Sequence, residues 1–195
     1  MIRYAARAVP WGLLGAGAGL VIGLLLLVER WPYTLWPLQG AAVGLLAGTA
    51  VWCFNEPAAS LVDTMPRSLR WRTTARSTGT LALVAIWLIA LQQTRSGYFG
   101  HAEDVAWQGI ALAAAASAYM TWQRCRGSTG PARALSAGIV GITLFVALAR
   151  PFDEVLPIFP YTAGDDWATS RLIWAAVPTA VLLLTARLPV FHRLT

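Results

Sequence analysis

The chain has 195 residues, of which 57% are hydrophobic and only 12% are charged. Soluble domains carry roughly 25% charged residues, so this composition excludes an ordinary soluble protein and predicts an integral membrane protein. All 15 basic residues are Arg, and without Lys the chain has neither a Walker A motif nor Schiff-base chemistry. We therefore expect that the chain is not an enzyme and holds no cofactor of its own.

Six apolar runs are long enough, or nearly long enough, to cross a membrane as helices. A hydrocarbon core of about 30 Å takes about 20 apolar residues in a helix, and these runs lack the alternation of membrane β-strands. The predicted fold is all-α, with a single transmembrane domain over residues 1–195. The six predicted spans cover about 11–28, 35–54, 78–91, 105–122, 134–149 and 172–186.

The distribution of Arg predicts the orientation of this bundle. With the N-terminus in the cytoplasm, 11 Arg residues lie in inner segments and 4 in outer segments, which is the bias typical of membrane proteins. Two acidic residues fall inside and seven outside. The net charge of +6 therefore reflects topology and an affinity for anionic membrane lipids, and it does not indicate nucleic acid as a partner. Both termini are predicted to be cytoplasmic.

The connection between the second and third runs, residues 55–77, is longer than the roughly 2–8 residues usual in helical bundles. Asn55 is placed to cap a short helix with an acidic first turn, and Pro66 ends that helix near residue 64. The basic stretch after it, residues 67–76, is suited to lie along the inner headgroups. One interpretation is a solvated basic loop with an interfacial anchor. The other is a helix that docks a soluble partner, with contact residues Asn55, Glu56, Asp63 and Arg67.

A second long connection, residues 150–171, lies on the predicted outer side. Three Pro residues prevent a continuous helix there, and its apolar centre is suited to dip into the bilayer or to cover the bundle. One interpretation is a lid with solvated carboxylates. The other is an outer gate that steers cationic ligands with four carboxylates, those of Asp153, Glu154, Asp165 and Asp166.

The first two runs carry glycines at every fourth position. Small residues at this spacing let helix backbones approach closely. We predict packing within one bundle, and a dimerisation face is the alternative. The glycines are Gly15, Gly19 and Gly23 in the first run, and Gly40, Gly44 and Gly48 in the second.

The remaining chemistry-bearing residues support no catalytic or metal site. A metal site needs three or four converging ligands, and His101, Glu103 and Asp104 form the single His–carboxylate cluster. Cys53 and Cys125 both fall on the predicted reducing side, which favours free thiols.

Polar and aromatic side chains near the span ends have simpler predicted roles. We expect Gln92, Gln93 and Gln108 to hydrogen-bond between helices and not to bind a substrate. Eight Trp residues are predicted to form aromatic belts at the membrane boundaries, namely Trp11, Trp31, Trp36, Trp52, Trp71, Trp107, Trp122 and Trp167.

Six spans, cytoplasmic termini, a docking-type segment between the second and third helices and a re-entrant-like outer segment before the sixth together form an arrangement similar to that of the six-helix permeases of ABC exporters. The run from Glu56-Pro57-Ala58 to Pro66-Arg67 also resembles segments of small actinobacterial membrane proteins that are associated with ABC ATPases. The resemblance implies a permease subunit in a bacterial cell membrane, with a coupling helix between the second and third spans. Its implied partners are an ATP-binding subunit, which would hold ATP and magnesium, and a second permease copy or homologue.

Two other functions stay open on the sequence. One is a non-catalytic accessory or scaffold subunit of a multi-subunit membrane complex, in which the loops are contact surfaces. The other is a membrane-embedded enzyme that acts on lipid-linked substrates, which would require a convergent polar site.

Overall fold

The computed structural model describes residues 2–56, 68–128, 130–150, 156–161, 163 and 166–186, without the side chains of residues 2, 3, 166 and 184–186. Of these residues 85% are helical and none lies in a strand, which confirms the all-α prediction. The helices are α1 (Ile2–Ala8), α2 (Trp11–Arg30), α3 (Leu35–Cys53), α4 (Leu69–Gln93), α5 (Ala102–Cys125), α6 (Ala132–Ala149) and α7 (Asp166–Ala186). Two short 3₁₀ turns, Pro32–Thr34 and Arg95–Tyr98, lie between them.

Helix α4 begins well before the predicted third span. Ser68 caps it by accepting a hydrogen bond on Oγ from the Trp71 backbone N–H at 3.3 Å, and the helix then runs unbroken for 25 residues. The first two turns contain Arg72 and Arg76, whose exposed fractions are only 4% and 8%. Residues 69–76 therefore open a long helix and do not form a loop, and Arg72 and Arg76 are not solvated. A location of this stretch along the inner headgroups stays a prediction.

Four segments of the described chain are long and apolar enough to cross a membrane: α2, the stretch Pro32–Cys53 that contains α3, α4 and α6. Helix α5 carries several polar side chains, and the apolar part of α7, Trp167–Leu183, is shorter. Several long apolar side chains point outward, among them Leu20, Ile142 and Leu172 with 60%, 65% and 74% exposure. Such faces are expected of helices surrounded by lipid, so the protein is a helical bundle compatible with a multi-pass membrane protein.

Helix α3 lies at the centre of the bundle. It packs against α2, α4, α5 and α6, whereas α7 packs mainly on α5 and α1 on α4. The side chains of Ala42, Val43, Ala47 and Ala50 on α3 are fully buried. Consecutive long helices run in opposite directions, so the end of α3 meets the start of α4 at one end of the bundle. We call this end the Glu56 end and the opposite one the His101 end.

The two glycine stripes have different surroundings. A Cβ added at Gly40 or Gly44 would collide with Ala147 or Thr143 on α6, and one at Gly48 would lie 3.0 Å from Ser136 Oγ. Packing within the bundle is therefore confirmed for these three glycines, which let α3 and α6 approach closely.

The stripe on α2 does not pack in this way. No atom of the described residues lies within 4 Å of a Cβ added at Gly15, Gly19 or Gly23. The prediction of packing inside the bundle is wrong for these three, because α2 turns a different face to its neighbours. That face includes Gly17, which lies against Thr49 of α3.

Candidate functional site

A buried cluster of one carboxylate and three guanidinium groups occupies the Glu56 end. Glu56 follows α3 and is 4% exposed. Its Oε2 accepts hydrogen bonds from Arg72 Nη1 at 3.1 Å and from Arg124 Nη2 at 2.8 Å. Its Oε1 lies 3.4 Å from Arg76 Nε. We call these four residues the Glu56 cluster; they join the end of α3, the start of α4 and the end of α5.

The same guanidinium groups also bind backbone carbonyls beyond two helix ends. Arg76 Nη1 donates to the carbonyl oxygens of Cys53 at 3.1 Å and Asn55 at 2.7 Å. Arg124 Nη1 donates to the carbonyl oxygen of Ser128 at 2.8 Å. The last carbonyls of a helix have no partner within it and carry partial negative charge, so cations there are favourable. Arg76 therefore caps the end of α3 at Cys53, Arg124 holds the turn that follows α5, and the cluster ties both helices to α4.

The Glu56 cluster bears on the docking prediction. The carboxylate of Glu56 is buried and binds Arg72 and Arg124 of the same chain, so it is not accessible to a soluble partner. Asn55 is half-buried, and its carbonyl is held by Arg76. The rest of the predicted docking helix, with Asp63 and Arg67, lies outside the described residues, so docking by that segment stays a prediction.

A chain of buried hydrogen bonds crosses the His101 end. Gln39 Nε2 of α3 donates to Gln108 Oε1 of α5 at 2.6 Å, and Gln108 Nε2 donates to Ser170 Oγ of α7 at 3.2 Å. Ser170 Oγ in turn donates to the carbonyl oxygen of Ile158 at 3.1 Å. The predicted interhelical role is confirmed for Gln108, whereas Gln92 and Gln93 are exposed. These hydrogen bonds connect α3, α5 and α7 with the segment before α7.

The described part of the predicted outer lid, residues 156–161, packs into the bundle. The carbonyl oxygen of Ile158 also accepts a hydrogen bond from Trp174 Nε1 at 2.8 Å. Phe159 is 5% exposed and packs on the Trp174 ring with centroids 5.5 Å apart. In the structure this part of the segment is packed against α7. The outer-gate interpretation stays a prediction. The predicted steering residues Asp153, Glu154 and Asp165 lie outside the described residues, as does the side chain of Asp166.

The His–carboxylate cluster of the sequence is part of a polar network with α7. Asp104 Oδ1 accepts a hydrogen bond from Arg171 Nε at 2.7 Å, and Asp104 Oδ2 lies 3.1 Å from His101 Nδ1. The His101 ring stacks on Trp167, with centroids 4.4 Å apart. Burial raises the pKa of Asp104, but the hydrogen bonds from Arg171 and His101 outweigh it and hold that pKa below its ordinary value.

Trp167 does not belong to an aromatic belt, because it is only 2% exposed. In contrast, Trp11, Trp31 and Trp107 keep 45%, 43% and 38% of their surface exposed, as belt residues do.

The sequence interpretation missed the arginine partners of Glu56. Arg72 and Arg76 are spaced i and i+4 on one helix, so they share a face, and this spacing was a usable signal. The contact with Arg124 spans 68 residues of chain and has no local signal.

No protein-family model, no curated protein and no solved structure matches this chain.

Proposed function

We propose that the chain is the permease subunit of an ABC transporter of the exporter type, resident in a bacterial cell membrane. In this proposal α2 to α7 all cross the membrane, with the Glu56 end and both termini in the cytoplasm. A separate ATP-binding subunit supplies ATP hydrolysis, and a second permease copy or homologue completes the transporter.

The observation that carries the proposal is the set of buried ion pairs on either side of segment 57–67. Glu56 stands at the start of this loop and Arg72 lies just after its end, and the two are ion-paired at 3.1 Å with less than 10% exposure. Arg124 adds α5 to the same junction. Burying these charges is costly, because ion pairs lose their hydration. A solvated connection that only joins two helices would not require such buried ion pairs.

These ion pairs suit a segment that transmits motion. A segment that couples a soluble ATPase to a membrane bundle works only if a push on the loop displaces the helices. The residues on both sides of segment 57–67 are ion-paired to α4 and α5. A force that reaches the bundle through this segment would therefore act on α3, α4 and α5 together. The position of the loop between the second and third long helices agrees with that of the coupling helix in the exporters that the sequence resembles.

The packing of α3 favours a second candidate function, that of an accessory or scaffold subunit. Helix α3 fills the centre of the bundle with fully buried side chains, so a substrate path does not follow this helix within one chain. In the permease proposal the path runs between two copies or homologues. In the scaffold alternative no path is needed.

Co-purification distinguishes the two functions. The tagged chain is expressed at native level, extracted in mild detergent and captured, and its partners are identified by mass spectrometry. We expect a chain with a Walker A motif, and ATPase activity that disappears when the Walker A Lys of that chain is replaced. Capture of partners without a nucleotide-binding chain would contradict the permease proposal and favour the scaffold function.

A matched pair of variants tests the role of the loop. In the captured complex, Asp63→Arg changes a carboxylate of segment 57–67, and Glu103→Arg changes an exposed carboxylate at the His101 end. We expect Asp63→Arg to lower the yield of the ATP-binding subunit and Glu103→Arg to leave it unchanged. Equal yields from both variants would contradict docking through this loop.

A further inference from the structure

An amphipathic groove lies between the N-terminal halves of α5 and α7 at the His101 end. Its volume is about 620 Å³, and it is lined by Gly100, His101, Glu103, Asp104, Trp107, Arg171 and Ala175. Glu103 and Trp107 are four residues apart on α5, and Arg171 and Ala175 are four residues apart on α7. Residues at this spacing lie on one face, one above the other, about 6 Å apart along the helix axis.

The groove therefore has a charged rim and an apolar floor. Both helices start at this end and run toward the Glu56 end, so both apolar members lie one turn deeper than the charged ones. A charged rim above an apolar floor matches the profile of a membrane boundary, where a headgroup lies above acyl chain.

Besides the paired Asp104 and the His101 ring, the rim presents the Nη groups of Arg171 and the carboxylate of Glu103 to a ligand. Arg171 is held by Asp104 through Nε alone at 2.7 Å, and in the described part of the chain its two Nη groups make no hydrogen bond. Its side chain is 62% exposed. Glu103 is exposed and makes no ion pair with any described residue. A planar guanidinium that is oriented in this way is suited to phosphate, and a free carboxylate next to an exposed Trp ring is suited to an ammonium group.

We propose that this groove binds the headgroup of a zwitterionic phospholipid with a primary ammonium, that is, phosphatidylethanolamine. Arg171 contacts the phosphate, Glu103 contacts the ammonium, and the acyl chains run along Trp107 and Ala175. Asp104 and His101 also line the groove, and Asp104 orients the guanidinium through its contact with Arg171 Nε. The inference requires that the chain be embedded in a membrane, and it does not depend on the ABC proposal.

Native mass spectrometry of the purified full chain tests the proposal. The chain is titrated in detergent with phosphatidylethanolamine, with phosphatidylglycerol and with soluble phosphoethanolamine. We expect phosphatidylethanolamine to bind about tenfold more tightly than phosphatidylglycerol, because the latter cannot form the charge-assisted contact with Glu103. Equal binding of the two lipids would overturn the proposal. Displacement of the lipid by an equal concentration of phosphoethanolamine would also overturn it and would indicate a soluble ligand.

Three variants identify the contacts. Glu103→Gln should remove the preference for phosphatidylethanolamine, and it disturbs no contact within the described chain. Arg171→Gln should weaken both lipids about tenfold. Arg95→Gln, an exposed Arg at the same end that does not line the groove, is the control and should bind as the native chain does. If Glu103→Gln keeps the full preference, the proposal is wrong, whatever the stability of the Arg171 variant.

Discussion

At the scale of single residues, Glu56 combines deep burial with three positively charged neighbours. Replacing it by Gln keeps the shape of the side chain and removes its charge, so the guanidinium groups lose their shared counterion. Breaking one partner of a buried ion pair costs about 3–5 kcal/mol. We expect Glu56→Gln to lower the free energy of unfolding by an amount in this range, measured by thermal unfolding and gel filtration in detergent.

The matched control for this variant is Glu103→Gln, since Glu103 is exposed. We expect it to unfold like the native chain. A Glu56→Gln chain with native stability would show that the Glu56 cluster does not hold the helix ends. Because Glu56 is internal, its variants report on folding, and docking is better tested at Asp63.

The pair formed by Asp104 and Arg171 predicts a pH dependence. The pKa of Asp104 is lowered, so its contribution to stability is complete above the ordinary carboxyl pKa of about 4 and is lost as the pH falls through the lowered value. We expect a native chain that is slightly more stable than Asp104→Asn at pH 7, with a difference that shrinks as the pH falls below the ordinary carboxyl pKa and is lost below the lowered one. The effect is small because Arg171 is largely exposed.

Unfolding temperatures of both chains in detergent across this pH range provide the measurement. A difference that is independent of pH would mean that Asp104 acts through its shape or through neutral hydrogen bonds.

At the scale of elements, the contact between α3 and α6 depends on three glycines. A methyl group at Gly44 would collide with Thr143, and overpacking of a tight contact costs about 1–3 kcal/mol. We expect Gly44→Ala to destabilise the bundle by this amount. Thr143 Oγ1 donates to the carbonyl oxygen of Ile139 in its own helix at 2.8 Å, so Thr143→Ala breaks no hydrogen bond between helices. It removes the hydroxyl and methyl groups nearest the added methyl but keeps Cβ at 3.0 Å, so it should restore part of the stability in the double variant.

The control for this prediction is Gly19→Ala on α2, which has open space around it. Since Ala is a better helix former than Gly, by about 0.5–1 kcal/mol, this variant should be as stable as the native chain or slightly more stable. If Gly19→Ala instead dissociates an oligomer, the stripe on α2 is a contact between copies.

At the scale of the whole molecule, the proposed topology places the Glu56 end in the cytoplasm. Single cysteines in a chain without Cys53 and Cys125 test it with a membrane-impermeant thiol reagent in intact cells. Arg95→Cys at the His101 end should react, and Ser128→Cys at the Glu56 end should be protected. Loss of Arg95 strengthens the inward bias of positive charge, so this variant does not itself favour inversion.

Lysis of the cells should make Ser128→Cys reactive, which controls for a buried thiol. Labelling of Ser128→Cys but not of Arg95→Cys in intact cells would show that the orientation is opposite to the proposed one. Labelling of both variants from outside would show that fewer than six helices cross the membrane.

The class of the protein follows from its sequence, because apolar content and the length of apolar runs are local sums that do not depend on which helices meet. The long helices were predictable for the same reason. Helix α4 nevertheless begins nine residues before its predicted start. Its first turns can be buried because Glu56, on another segment, neutralises Arg72 and Arg76. Only the tertiary structure decided which polar groups are buried: Glu56 and Arg124 are 68 residues apart in the chain, and their contact depends on how α3, α4 and α5 converge. It also separated two glycine stripes with the same spacing, since Gly44 faces α6 and Gly19 faces open space. Spacing places residues on one face of a helix, but the packing of the other helices determines what that face meets.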